Sequence, residues 1–240
     1  MLHLILADCE LERVPPEISH HRIIKWWARR RGRKPTELIL DSSLFFPAIR
    51  KLENGSRRGR PDIVHRCLLV ALDSPLNKEG LLRVYVHTRN DELITIEPHT
   101  RLPRTFNRFV GLIESLFLKG FTERKLLKMR KATLEEVVNT IRPSKTICFS
   151  MRGKPKTWKE IYGGVHPTHR ICLIIGGFPE GEFISDVDHL CDEIVCVDPE
   201  PLASSSIVAR AIFAYEEEVG LQMKRFARSG FEGIPQNDSR

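Results

Sequence analysis

An apolar run, Ile171 to Ile175, passes directly into Gly176-Gly177-Phe178-Pro179-Glu180-Gly181. A buried strand that ends in a glycine-rich turn lets a ligand approach backbone atoms closely. The spacing is G-G-x-x-x-G with a proline in the loop, so it differs from the G-x-G-x-x-G of a dinucleotide site. Taken alone, the stretch reads first as a plain tight turn. A second apolar run, Ile194 to Val197, exits through Asp198-Pro199-Glu200-Pro201-Leu202 into a helix. Two strand-exit loops of one parallel layer flank a crevice. Ile175, Val197 and Leu202 could hold a flat adenine there, with main-chain groups reading its polar edge. No P-loop lysine is present, so a triphosphate is not implied.

Basic residues supply the second kind of chemistry. Arginines cluster at Arg29, Arg30, Arg31 and Arg33, at Arg57, Arg58 and Arg60, and at Arg101, Arg104 and Arg108. Arg104 and Arg108 are four apart at a helix start and share a face, with Arg101 one turn earlier. Guanidinium groups so aligned grip phosphates bidentately. The first cluster reads equally as a solvated helix face. Phe106 and Phe109 read as core residues, His65 as a buried, satisfied histidine, and His20 and His21 as surface residues. Six cysteines, at 9, 67, 148, 172, 191 and 196, form no C-x-x-C pair. No metal site is expected, and the pattern suits a reducing intracellular compartment.

The elements that must position these groups follow from periodicity. Leu2 to Leu6 and Glu37 to Leu40 read as buried strands, and Met1 to Ala7 as a first strand rather than a secretory signal. Ser19 to Arg31, with Trp26 and Trp27, and Asp62 to Leu72, behind Pro61, read as helices. Leu82 to Thr88 pairs with Leu93 to Ile96. Thr105 to Leu118 and Thr133 to Ile141 read as helices, the first with Thr105 as cap. Thr146 to Phe149, Ile171 to Ile175 and Ile194 to Val197 are continuous apolar runs of the kind parallel strands need when both faces are covered. A last helix starts near Leu202, and Ile207, Ile212 and Phe213 are expected to give it apolar surface. The chain has 240 residues, 41% hydrophobic and 29% charged. Such a chain buries a sizeable core as one α/β unit. Thirty-eight basic against 31 acidic residues, a net charge of +7, favour a polyanion partner. No apolar run reaches the length of a membrane span.

Four strings carry a resemblance: Arg58-Gly59-Arg60-Pro61-Asp62-Ile63-Val64-His65, Leu72-Asp73-Ser74-Pro75-Leu76-Asn77, Val84-Tyr85-Val86-His87-Thr88 and Arg101-Leu102-Pro103-Arg104-Thr105-Phe106. In order, and over nearly the whole chain, the sequence resembles the pseudouridine-N1-methyltransferase family of ribosome biogenesis, in the SPOUT or α/β-knot class. The resemblance implies a parallel sheet with helices on both faces and a C-terminal trefoil knot. Residues 1–228 would form one SPOUT-like domain, with inserted β/α surface elements roughly within 42–120 and a loose tail over 229–240. S-adenosyl-L-methionine would sit in the knot, held by Gly176, Gly177 and Gly181 and by Val197, Asp198, Pro199, Glu200, Pro201, Leu202 and Ala203. At Gly177 the sequence departs from the alanine of some family members. Arg60, Arg101, Arg104 and Arg108 match the family's RNA-binding arginines. A homodimer is implied, in which the second subunit completes the cleft. Small-subunit rRNA is the implied partner, with other ribosome assembly factors besides, no membrane, and a cytoplasmic location.

The implied reaction needs the N1–H of pseudouridine to be presented and deprotonated beside an already activated methyl group. The target base must also leave its stack. Asp62 is the carboxylate nominated for contact with the base. A helix-start aspartate among arginines is equally a structural ion-pair partner. The rival function is an rRNA-binding assembly factor in which methylation is secondary. A nucleotide-dependent oxidoreductase or transferase is disfavoured by the missing G-x-G-x-x-G.

Overall fold

A computed structural model describes residues 1–166 and 168–230. Among the described residues seven strands form one sheet in the order β4-β3-β2-β1-β6-β5-β7. They are β1 (Leu2–Cys9), β2 (Leu82–Thr88), β3 (Glu92–Ile96), β4 (Leu127–Lys131), β5 (Lys145–Pro155), β6 (Ile171–Gly176) and β7 (Glu193–Cys196). β1, β2, β5, β6 and β7 run parallel, and β3 and β4 add an antiparallel ribbon at one edge. All eight residues of β1 are buried, as expected of a central parallel strand covered on both faces.

Among the described residues ten α-helices accompany the strands: α1 (Arg22–Arg31), α2 (Ser42–Ile49), α3 (Pro61–Asp73), α4 (Pro75–Lys78), α5 (Phe106–Lys119), α6 (Leu134–Ile141), α7 (Trp158–Tyr162), α8 (Val187–Leu190), α9 (Ser204–Glu218) and α10 (Leu221–Ser229). Alternate strand residues divide the core. Leu4, Leu6, Leu173 and Ile175 face α3, α5, α7 and α9. Ile5, Ala7, Cys172 and Ile174 face α6 and α8. A third cluster, from Val14 to Ile49, is built by α1, α2 and the segment between them. This satellite begins well before residue 42. Pro61 occupies the first turn of α3, where the missing N–H costs nothing. Thr105 stands at the N-cap of α5 without a side-chain capping bond.

Two expectations change. Leu38, Ile39 and Leu40 are buried, but they form a single antiparallel bridge, Ile39 to Arg13, instead of a strand. Their side chains fill the core while Pro35 starts a tight 3-10 turn through Glu37. β5 runs on well past Phe149 to Pro155, with a register shift against β7. A Cβ on Gly153 would lie 2.5 Å from the Val195 backbone, so glycine permits that close crossing. Of the expected tail, Ser229 ends α10, and residues 231–240 lie outside the described residues.

Candidate functional site

The parallel strands all end at the same edge of the sheet, and a cleft of about 410 Å³ opens there. Gly176, Gly181, Val197, Asp198, Glu200, Pro201 and Leu202 line it, and so does Ile175. The two loops singled out in the sequence therefore face one cavity. Pro199 and Ala203 are outside its lining. Ala203 is the N-cap of α9.

Gly177 has a different task. A Cβ there would lie 2.2 Å from Cys9 Sγ and 2.9 Å from Cys9 Cα. Its N–H donates to Ala7 O at 2.8 Å. It is a packing glycine that seats the turn on the end of β1. At Gly176 a Cβ would reach 2.7 Å from the Phe178 ring, and its carbonyl accepts from Ser204 Oγ at 2.7 Å. Gly181 adopts φ +83°, a left-handed conformation that favours glycine.

Sequence reasoning missed several residues that build this cleft. Phe149, Ser150, Met151, Phe178, Ser204 and Ile207 line it. Ser150 and Met151 arrive on the extension of β5, which no periodicity announces. Buried Asp8 holds the loop after β6, accepting from Ile184 N (2.6 Å), Ser185 N (2.9 Å) and Ser185 Oγ (2.7 Å). Burial would raise its pKa, but His87 and the two Ser185 hydrogen bonds outweigh it and hold the carboxyl below its usual range. Arg57 stacks 4.0 Å above the Phe178 ring, bonds the Glu182 carbonyl and pairs with fully buried Glu10. Arg58 pairs with Glu12. Both arginines are internal.

The arginine motif reaches the glycine turn through the backbone of Glu10. Glu10 N–H donates to Gly177 O at 3.1 Å, and Glu10 O accepts from Arg60 N at 2.9 Å. Arg60 then grips Asp62 through both carboxylate oxygens, at 2.8 and 2.9 Å, and Arg66 joins at 2.6 Å. Burial pushes the Asp62 pKa up, but the Arg60 hydrogen bonds and the charges of Arg60 and Arg66 bring it below the usual value. Asp62 is half-buried and does not line the cleft. Arg101, Arg104 and Arg108 are exposed. Among the described residues they form no ion pair, unlike Arg60. Arg101 and Arg104 border a broad surface cleft with Asp73, Lys78 and His99.

His65 is buried, as expected, with Nε2 2.8 Å from Pro103 O and its ring 4.3 Å from Phe109. It fixes the arginine loop to α3. Phe109 is fully buried and Phe106 packs on the same core. On α9, Ile212 points inward at 3% exposure, against the expected apolar surface, while Phe213 is 60% exposed. Phe213, Leu69, Val70 and Ala209 border a shallow apolar groove between α3 and α9.

A sheet covered on both faces, whose strand-exit loops enclose a cleft for a small ligand next to an arginine-rich motif, defines an α/β protein suited to presenting that ligand to a polyanion. The sequence comparison is more particular. The chain belongs to the EMG1/NEP1 methyltransferase family, whose model matches residues 4–216. The ribosomal RNA small subunit methyltransferase Nep1 of Pyrococcus furiosus is 48% identical over 223 residues, covering 91% of this chain and 97% of that protein. The protein of the same name from Thermococcus kodakarensis is 45% identical over 226 residues, covering 92% and 100%. The crystal structure of Archaeoglobus fulgidus Nep1 bound to S-adenosylhomocysteine superposes with a TM-score of 0.79 at 32% identity, covering 91% of this chain and 98% of that one.

Proposed function

We propose that this chain transfers a methyl group from S-adenosylmethionine to N1 of a pseudouridine in small-subunit rRNA, acting as a homodimer with a knotted C-terminal chain. The observation that supports the reading is the Glu10 bridge, which links the backbone of Arg60, two residues before Asp62, to the glycine turn at Gly177. The methyltransferase relatives, and the S-adenosylhomocysteine bound to the A. fulgidus protein, support it.

The cleft fits the group. Ile175, Val197, Leu202 and Ile207 give apolar walls for an adenine, and the backbone of both loops is close at hand. Gly176 lines the cleft, and its missing Cβ leaves room for the Phe178 ring. When bound, S-adenosylmethionine supplies a methyl already activated on a sulfonium. The work left to the protein is placement and management of one proton. Arg101, Arg104 and Arg108 hold RNA phosphates while the base leaves its stack. Asp62, kept ionised by Arg60 and Arg66, accepts a hydrogen bond from the N1–H and orients it, and the proton that N1 gives up on methylation would pass to solvent water. The lowered pKa of Asp62 suits an acceptor better than a strong base.

Asp62 shares a partly exposed stripe of α3 with Arg66, Leu69 and Asp73, at helical spacing. A two-fold contact through this stripe and Phe213 sets Asp62 at the subunit junction, where a second copy completes the site. Residues 1–228 acting as one domain belong to the same reading. Calorimetry with S-adenosylmethionine, ATP and NAD tests the ligand. Binding of the first alone is expected, and Gly176→Val, which must displace the Phe178 ring, should abolish it while the protein stays folded. Normal binding by Gly176→Val would move the site elsewhere.

A further inference from the structure

The basic cluster at the end of α1 has no part in the cleft, and its surroundings suit a ligand of their own. α1 reads Arg-Ile-Ile-Lys-Trp-Trp-Ala-Arg-Arg-Arg and contains no acidic residue. Ile24 and Ala28 turn into the satellite core with Trp27 beside them, while Trp26 is absent from that core and is 51% exposed. The Arg30 guanidinium lies 5.3 Å from the Trp26 ring centroid. On the same satellite Phe46 is 57% exposed, with Arg50 at 5.9 Å from its ring. Two aromatic rings, each accompanied by an arginine, are therefore more than half exposed. Exposed aromatics beside guanidinium groups are the combination that stacks unpaired bases and holds their phosphates.

Position supports the same ligand. Arg31 is fixed to Glu114 of α5 at 2.7 Å. Glu114 is six residues beyond Arg108, about 9 Å along the helix axis. The α1 cluster is therefore tied to the helix that carries Arg108. Arg29, Arg30 and Arg33 make no ion pair among the described residues. Seven cations between residues 22 and 34, with no carboxylate among them, complement a polyanion and repel a basic protein partner.

We infer that the satellite is a second RNA-contact surface, in which Trp26 and Phe46 stack single-stranded bases flanking the target and Arg29, Arg30 and Arg33 hold their phosphates. This inference rests on RNA being the substrate. Binding is measured for two RNAs: a pseudouridine stem-loop, and the same stem-loop with single-stranded flanks. Trp26→Ala should weaken binding of the flanked RNA about tenfold and leave the bare stem-loop, and its methylation, unchanged. Trp26→Phe should restore most of the loss, because it keeps a stacking face. Equal loss on both RNAs, or no loss on either, overturns the inference; the second result would assign the surface to a protein partner. Arg101→Ala is the control for the underlying reading. If it weakens both RNAs while Trp26→Ala weakens neither, only the second surface fails. If neither variant matters, the RNA reading fails as well.

Discussion

Asp62 makes two ion pairs on one half-exposed carboxylate, and that restricts what it can do. A structural role predicts that Asp62→Asn lowers melting temperature or dimer stability, with turnover per folded dimer preserved. The orienting role predicts turnover about a hundredfold lower, with cofactor affinity near normal. The second outcome is expected, read by single-turnover methyl transfer beside calorimetry. At this scale the sequence was informative where a residue lines the cleft and silent where it serves its neighbours. Gly176 and Gly177 are adjacent letters, yet one faces the cleft and the other packs on Cys9. Only the three-dimensional approach of β1 to β6 separates them. Arg57 and Arg60 also looked alike in sequence, but Glu10 draws the first inward. Buried Asp8 lies at the end of β1 and buried Glu10 just beyond it, where no periodicity announces a carboxylate that holds loops.

At the scale of elements, the loop between β6 and α8 depends on the end of β1. Asp8 accepts three hydrogen bonds from that loop, and a bond to a buried charged group contributes about 2 kcal/mol. Its pKa in the folded chain lies below the ordinary aspartate value of 3.8. A depressed carboxylate stabilises the fold at all pH above its unfolded value and loses that contribution as pH falls through the folded one. Asp8→Asn should therefore lower the melting temperature at neutral pH, with the gap to wild type closing only in the acid range below that value. Calorimetry of both proteins across this range measures it, and a gap independent of pH would mean that the carboxylate charge is not what holds the loop. β1, α3, β6 and α9 were legible because their apolar periodicity is long. β4 was not: its sequence Leu-Lys-Met-Arg-Lys buries only Leu127, because an edge strand needs little apolar surface. The end of β5 was hidden for the same reason, since Ser150 to Pro155 are mostly exposed.

For the whole molecule, the proposed two-fold contact runs through the groove between α3 and α9. Phe213→Asp should convert the dimer to monomer in sedimentation equilibrium and reduce activity, while the monomer keeps its fold because Phe213 is mostly exposed. An undisturbed dimer would place the interface on another face. The chain's threading could not be read from local patterns, since periodicity specifies elements and not the order in which one passes through another; resemblance supplied that expectation. The substrate is the central claim, and one chemical difference tests it. In uridine the ring atom corresponding to N1 of pseudouridine is the glycosidic nitrogen, which has no proton to lose and no free valence for a methyl group. The measurement is nucleoside mass spectrometry after incubating matched uridine and pseudouridine stem-loops with S-adenosylmethionine and the protein. N1-methylpseudouridine from the pseudouridine RNA alone is the predicted result. Methylation of the uridine RNA, or of neither, would contradict it, and tight RNA binding in the second case would favour an assembly factor.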